Sequence, residues 1–457
     1  MRQKRKRTIL STGRIPRTVI MLGLVSLFTD AASEMIYPLV PVYVAALGSG
    51  AIILGVIEGI AETTASMVKL ASGYMSDKSG KRKLLVLAGY ALSSFFRPLT
   101  GIVSAAWQIV VIRMIDRIGK GVRTAPRDAL IASSVDENIR GKAYGFHRAM
   151  DHTGAVIGPL LAIAMLLLLF TFFGVATPLA ALRWTFLFSA IPGLLAVLTI
   201  IFFVNEVAPS KGSSKLFRIS LAEFDSNFRN YLAVMVLFTL GNSSDAFLLY
   251  RVEESLRHSG AVTTFIMKFD FLKDLITRFG SVETQETVIN ILFLPLVWAF
   301  FHVIKVVFST PLGALSDRIG RKRSITIGWV IYAFVYFSFA FLNFLKPSSQ
   351  LLATFILFAI YALFYAFSEG AEKAFVADIV KDEYRGTAFG MFNFAIGIGA
   401  LPASILFGFI YASFDKLFPG FGGTFAFSFG GTIAVISVIL LSLRVREYKK
   451  ERGGINQ

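Results

Sequence analysis

Gly73-Tyr-Met-Ser-Asp77-Lys-Ser-Gly80-Lys-Arg-Lys83 returns 240 residues later as Gly313-Ala-Leu-Ser-Asp317-Arg-Ile-Gly320-Arg-Lys-Arg323. A second pair, Arg140-Gly141-Lys-Ala-Tyr-Gly145 and Arg385-Gly386-Thr-Ala-Phe-Gly390, repeats at an offset of 245. Each polar copy sits between long apolar stretches, so the chain reads as two halves written on one pattern. Repeated apolar bundles of this kind place a solute site between the halves and let one half rock against the other.

The apolar stretches surrounding these segments decide the class. Of 457 residues, 55% are hydrophobic and 16% are charged, against about 25% charged in soluble domains. A membrane helix needs roughly 20 apolar residues to cross about 30 Å of hydrocarbon. Twelve such stretches run from Thr18–Leu47 to Thr424–Leu443. Runs such as Ala162–Phe173 do not alternate, which excludes the period-two strands of a membrane barrel. The expected fold is therefore an all-α integral membrane protein of twelve transmembrane helices in two six-helix bundles. Its expected parts are a basic tail (1–17), an N-terminal bundle (18–204), a central loop (205–230), a C-terminal bundle (231–445) and a second tail (446–457).

Net charge is +17, and 28 of the 46 Lys and Arg fall in the tails and the loops on their side, against 8 in the loops opposite. Such a bias puts both termini in the cytoplasm of a multi-pass cell-membrane protein and requires an even number of spans. It also assigns the excess charge to a membrane face rather than to nucleic acid. With no cysteine, the chain can form no disulfide, iron–sulfur or thiolate site. Gly119-Lys120-Gly121 lacks the frame of a phosphate-binding loop. ATP hydrolysis, enzymatic activity, a cofactor and a metal centre are accordingly not expected.

One outer connection, 251–287, is long. In it Phe265, Phe269, Leu272, Ile276 and Phe279 follow helical spacing, which predicts an amphipathic helix on the membrane surface or over the bundle. It is either a passive connector or a lid.

The repeated G-x-x-x-D-[RK]-x-G-[RK]-[RK]-[RK] element, in both the 2–3 and 8–9 loops, resembles that of the major facilitator superfamily. Gly154-Ala-Val-Ile-Gly158-Pro159-Leu-Leu-Ala162 is similar to the family's antiporter motif, with Ala162 and Ile163 where its last glycines stand. Arg113-Met-Ile-Asp116-Arg117-Ile-Gly119 is similar to its fourth-span element, departing at Asp116 and Arg117. The resemblance implies that the loop element latches the halves together when the cytoplasmic side is closed. Physically, Gly73 and Gly313 would permit close helix approach, and Asp77 and Asp317 would accept hydrogen bonds at helix ends. Gly80 and Gly320 complete the two copies.

Ionisable groups inside the membrane are costly and mark function by default. Arg113, Asp116, Arg117, Lys120, Arg123 and Arg127 step along one stripe of the fourth span. Asp30 and Glu34 are four apart, as are Glu58 and Glu62, His147 and Asp151, and Arg148 and His152. The His147–Asp151 spacing also suits two metal ligands, but a helical hydrogen bond is the simpler reading. Depth, counted at about 1.5 Å per residue, pairs Glu34 with Arg113, Asp30 with Arg117 and Asp151 with Arg148. These groups are either fixed ion pairs or a proton-coupling network around a cavity. A carboxylate that loses its cation in apolar surroundings takes up a proton more readily, and Asp30 is the first candidate, then Asp151 and Asp116.

The function expected is secondary active transport by alternating access: proton-coupled export of a small solute such as a drug, metal chelate or metabolite. The partners are that solute, protons or another cation, and the lipid bilayer. An importer or symporter of an anionic nutrient is the first alternative, and a non-transporting membrane receptor or scaffold the second.

Overall fold

A computed structural model describes residues 15–79, 81–135, 140–206, 224–380 and 385–447. Most of the expected tails, the centre of the 205–230 loop, Gly80 and the side chain of Asp77 lie outside the described residues. Among those described there are helices and no strands.

Among the described residues the helices form twelve spans. The first runs Arg17–Glu34, then through a 3-10 turn (Tyr37–Leu39) into Val40–Ala46. The second is Ala51–Ser79, the third Arg82–Phe96 with a 3-10 end at Arg97–Ile102, and the fourth Ala106–Ser133. The fifth is Arg140–Thr171 and the sixth Pro178–Phe188 plus Ala190–Phe203. In the second half, the seventh is Ser226–Gly241 plus Ala246–Ser259 and the eighth Val282–Ile319. The ninth is Arg321–Ala340, the tenth Pro347–Ile379, the eleventh Arg385–Leu417 and the twelfth Gly422–Arg444.

Eleven of these are long and apolar enough to cross a bilayer unaided. The fourth is too charged for that test, yet its 28 residues make about 42 Å of helix, and its charges point inward. Pro38 and Pro41 cannot donate to the preceding turn, so the first span breaks just before them. The seventh span breaks at Asn242–Asp245, and the two breaks meet: the Tyr37 and Ser244 hydroxyls are 3.2 Å apart.

On the side away from the chain ends, the halves join along a seam between the second and eleventh spans. A Cβ on Gly55 would lie 2.3 Å from the Ser404 carbonyl oxygen, and one on Gly408 would lie 2.4 Å from that of Ala51. Thr63 donates to the Gly397 carbonyl at 2.6 Å. Small residues let backbones touch here, as membrane helices require. Toward the chain ends the halves part. A Cβ on Gly145 or Gly313 would meet nothing within 4 Å, so Gly313 makes no close approach here and its expected packing role is corrected. Asp317 instead pairs with Arg321 of its own segment, which also reaches Asp378 at 3.6 Å.

The 251–287 connection differs from expectation. The seventh span continues to Ser259, because Arg251 is fully buried. Arg251 donates to the carbonyls of Phe339 and Ala340, where the ninth span ends, and pairs with Glu254 at 2.7 Å. The amphipathic segment is split into Ala261–Ile266 and Asp270–Thr277. Leu275, Ile276 and Phe279 are buried while Phe265 and Phe269 are exposed. Phe279 rests edge-on against Phe170 of the first half, 5.2 Å between centroids.

Candidate functional site: a charged cavity between the halves

Between the halves lie two overlapping compartments of about 620 and 640 Å³. Asp30, Lys120, Arg123, Arg148, Asp151 and Glu369 line both. The charge stripe of the fourth span faces this cavity and its walls, as the cost of exposing it to lipid dictates.

Glycines set which spans are neighbours. A Cβ on Gly121 would lie 2.6 Å from the Val68 side chain and 3.0 Å from the Ala65 carbonyl oxygen. That crossing clamps the fourth span onto the second. Arg113 consequently pairs with Glu58 at 2.5 Å and Arg117 with Glu62 at 3.7 Å. On the other flank, Arg97 of the third span holds Asp116 at 2.8 Å and donates to the Thr29 carbonyl at 3.0 Å. Arg123 donates to Ser93 at 2.7 Å and lies 4.3 Å above the Tyr90 ring.

The antiporter-like stretch packs the fifth span onto the first. A Cβ on Gly154 would stand 2.4 Å from the Leu27 carbonyl oxygen and 3.0 Å from the Asp30 Cβ. One on Gly158 would stand 2.6 Å from the Ala31 carbonyl oxygen and 2.7 Å from the Glu34 Cβ. The two glycines thus abut the two acidic residues of the first span, and Pro159 follows inside the helix.

The three expected pairs do not form. Glu34 accepts from the Trp298 indole at 2.7 Å and lies 3.9 Å from His302 Nε2. Asp151 accepts from Ser26 and lies 3.5 Å from His147 Nδ1. Arg148 crosses to Glu369 of the other half, which also takes Lys305 at 3.5 Å and Lys373 at 3.7 Å. Asp30 lines the cavity with its carboxylate in no hydrogen bond or ion pair among the described residues. Equal depth was the wrong criterion, because the first span faces the fourth across the cavity while the second touches it.

The second half contributes a wall in which tyrosines meet the ionisable residues of its spans. Asp245 accepts from the Tyr361 hydroxyl at 2.6 Å and from Tyr365 at 2.9 Å. Lys305 sits 4.0 Å over the Tyr365 ring, and Tyr37 lies 5.1 Å from the Trp298 ring. Tyr361 and Tyr365 stand four apart in an aromatic-rich stretch of the tenth span, so both hydroxyls leave one face of that helix. No group of three or more His, Asp or Glu is placed to hold a metal ion among the described residues.

Comparison with known proteins gives one consistent result. The sequence profile of the Major Facilitator Superfamily matches residues 22–270 and 275–456. An uncharacterized MFS-type transporter of Methanocaldococcus jannaschii is 32% identical over 428 residues, covering 93% of this chain and 94% of its own. The multidrug resistance protein MdtG of Proteus mirabilis is 27% identical over 316 residues, 67% of this chain and 69% of its own. Among solved structures, a mutant of the nucleoside transporter NupG superposes with a TM-score of 0.72 at 13% identity, covering 94% of this chain and 100% of that one. A D-xylose–proton symporter gives 0.66 at 15% identity, covering 94% and 98%. At such identities the superpositions speak for the fold alone.

Proposed function

This chain belongs to the major facilitator superfamily, and we propose that it is a proton-coupled secondary transporter in which Asp30 carries the proton. The observation behind this is the contrast inside the cavity. Asp116, Glu58, Glu62 and Glu369 are each held by arginine, whereas the Asp30 carboxylate faces the same space in no ion pair or hydrogen bond among the described residues. An unpaired carboxylate at membrane depth is the group whose charge is most costly, so proton uptake relieves it. Gly154 and Gly158 hold the first span against the fifth at that level, so movement of either span changes what Asp30 faces.

Two things support export of a small solute as the direction: the likeness to a protein named for multidrug resistance and the antiporter-like stretch at Gly154–Pro159. The import of an anionic solute is the second reading, and what favours it is that Lys69 and Lys120 line the cavity with neither ammonium in an ion pair among the described residues. Both readings place the termini in the cytoplasm, on the basic bias of the loops, so that the cavity opens inward.

A solute screen in proteoliposomes, with and without an imposed pH gradient, tests the transport reading. In the Asp30→Asn variant, flux driven by the gradient is lost while solute exchange persists. Gradient-driven flux equal to that of the unaltered protein removes Asp30 from the coupling role.

A further inference from the structure

We infer that Lys69 and Lys120 form a subsite for an anionic group of the solute, a carboxylate or a phosphate. The crossing of the second and fourth spans places them side by side. Val68 and Ala65 press on Gly121, and Ser72 donates to the Gly121 carbonyl at 2.8 Å, so the residues next to that contact, Lys69 and Lys120, leave adjacent points of the two backbones. Both line the compartment that opens toward the chain ends.

Neither ammonium group makes an ion pair or hydrogen bond among the described residues. The carboxylates around them are engaged with other cations: Glu62 with Arg117, Asp128 with Arg127 at 2.9 Å, and Glu369 with Arg148 and Lys373; Glu62 attracts both lysines from beyond ion-pair distance. Two like charges set together at membrane depth, with Arg123 of the same compartment given to Ser93 and the Tyr90 ring rather than to a carboxylate, are a standing cost. An anion entering the compartment removes that cost and takes a charge-assisted hydrogen bond from each lysine. Lysine is a compact point charge on a flexible stem, which accepts either a carboxylate or a phosphate. Asp30 shares the compartment, and its negative charge opposes the anion.

This inference rests on reading the cavity as the solute path, but its test needs neither protons nor flux. The purified full-length chain is placed in nanodiscs of zwitterionic lipid, and its unfolding midpoint is followed against sodium phosphate, sodium benzoate and neutral benzamide at constant ionic strength. A ligand that binds only the folded state raises that midpoint. The expected result is a rise with phosphate or benzoate and none with benzamide. Apparent anion affinity falls about tenfold in Lys69→Met and in Lys120→Met, the loss of one charge-assisted bond, and rises in Asp30→Asn. Lys120→Arg, which keeps the charge, restores the response and guards against a variant that merely misfolds. Equal response to benzamide, no response to either anion, or an undiminished response in both Met variants overturns the subsite. A rise seen only when phosphatidylglycerol is added to the disc assigns the lysines to a lipid headgroup and overturns the solute subsite. Loss of proton coupling in the flux assay with anion binding intact would count against the Asp30 reading alone.

Discussion

Arg148 of the fifth span donates to Glu369 of the tenth, so an ion pair reaches across the cavity from one half to the other. Glu369 also faces Lys305 and Lys373, and one carboxylate therefore answers three cations near the point where the halves diverge. Opening and closing of the cavity must redistribute these partners.

Replacing Glu369 by Gln leaves three cations facing one another. Transport is expected to fall at least several-fold, whereas Glu369→Asp, which keeps the charge, retains most of it. Initial rates in proteoliposomes, normalised to folded protein, check this. Equal rates for the Gln and Asp variants would mean that the charge is irrelevant.

The Arg113–Glu58 pair is a different case, with side chains only 6% and 2% exposed. Removing one partner strands the other in the bundle at a cost of roughly 3–5 kcal/mol. Glu58→Gln and Arg113→Gln should each lower the unfolding midpoint clearly. The double variant should be less destabilised than the sum of the two, because neither charge is then left alone. Additive losses would show that the pair is not coupled.

Gly154→Val drives a side chain into the Leu27 carbonyl and toward Asp30. The first and fifth spans must then separate, and transport should be abolished or nearly so. Gly145→Val, five residues into the same helix and facing open space, serves as the control and should transport normally. A functional Gly154→Val protein would show that close contact at this level is dispensable.

The absence of cysteine makes the topology directly measurable. Single cysteines introduced at Gly145 and Gly313 should react with a membrane-impermeant maleimide only from the cytoplasmic side, and one at Gly280 only from outside. The reverse pattern would invert the orientation read from the basic loops.

The number of spans was legible because apolar runs of the required length are hard to disguise, and the fourth span revealed itself through the regular spacing of Arg113 to Arg127. The break in the first span was legible at Pro38 and Pro41. Partner choice was not. Glu34 and Glu58 both lie at a depth that could serve Arg113, and depth is one coordinate of three. The missing information is which helices touch, and it is carried by Gly121, Gly154 and Gly158, whose significance depends on what faces them. Arg251 was misplaced for a related reason: a lone arginine past an apolar run looks like a loop residue until two helix-terminal carbonyls are found waiting for it.

The seam from Ala51 to Ser66 against Gly397 to Gly408 owes its grip to side chains that are not there. Contact of this sort is short-ranged: a gap of about 0.5–1 Å already forfeits a quarter to a half of the dispersion attraction. Such a joint does not stretch gradually. It behaves as a snap fastener, engaged or released along its whole length, which would give the protein two well-separated resting shapes with little population between them.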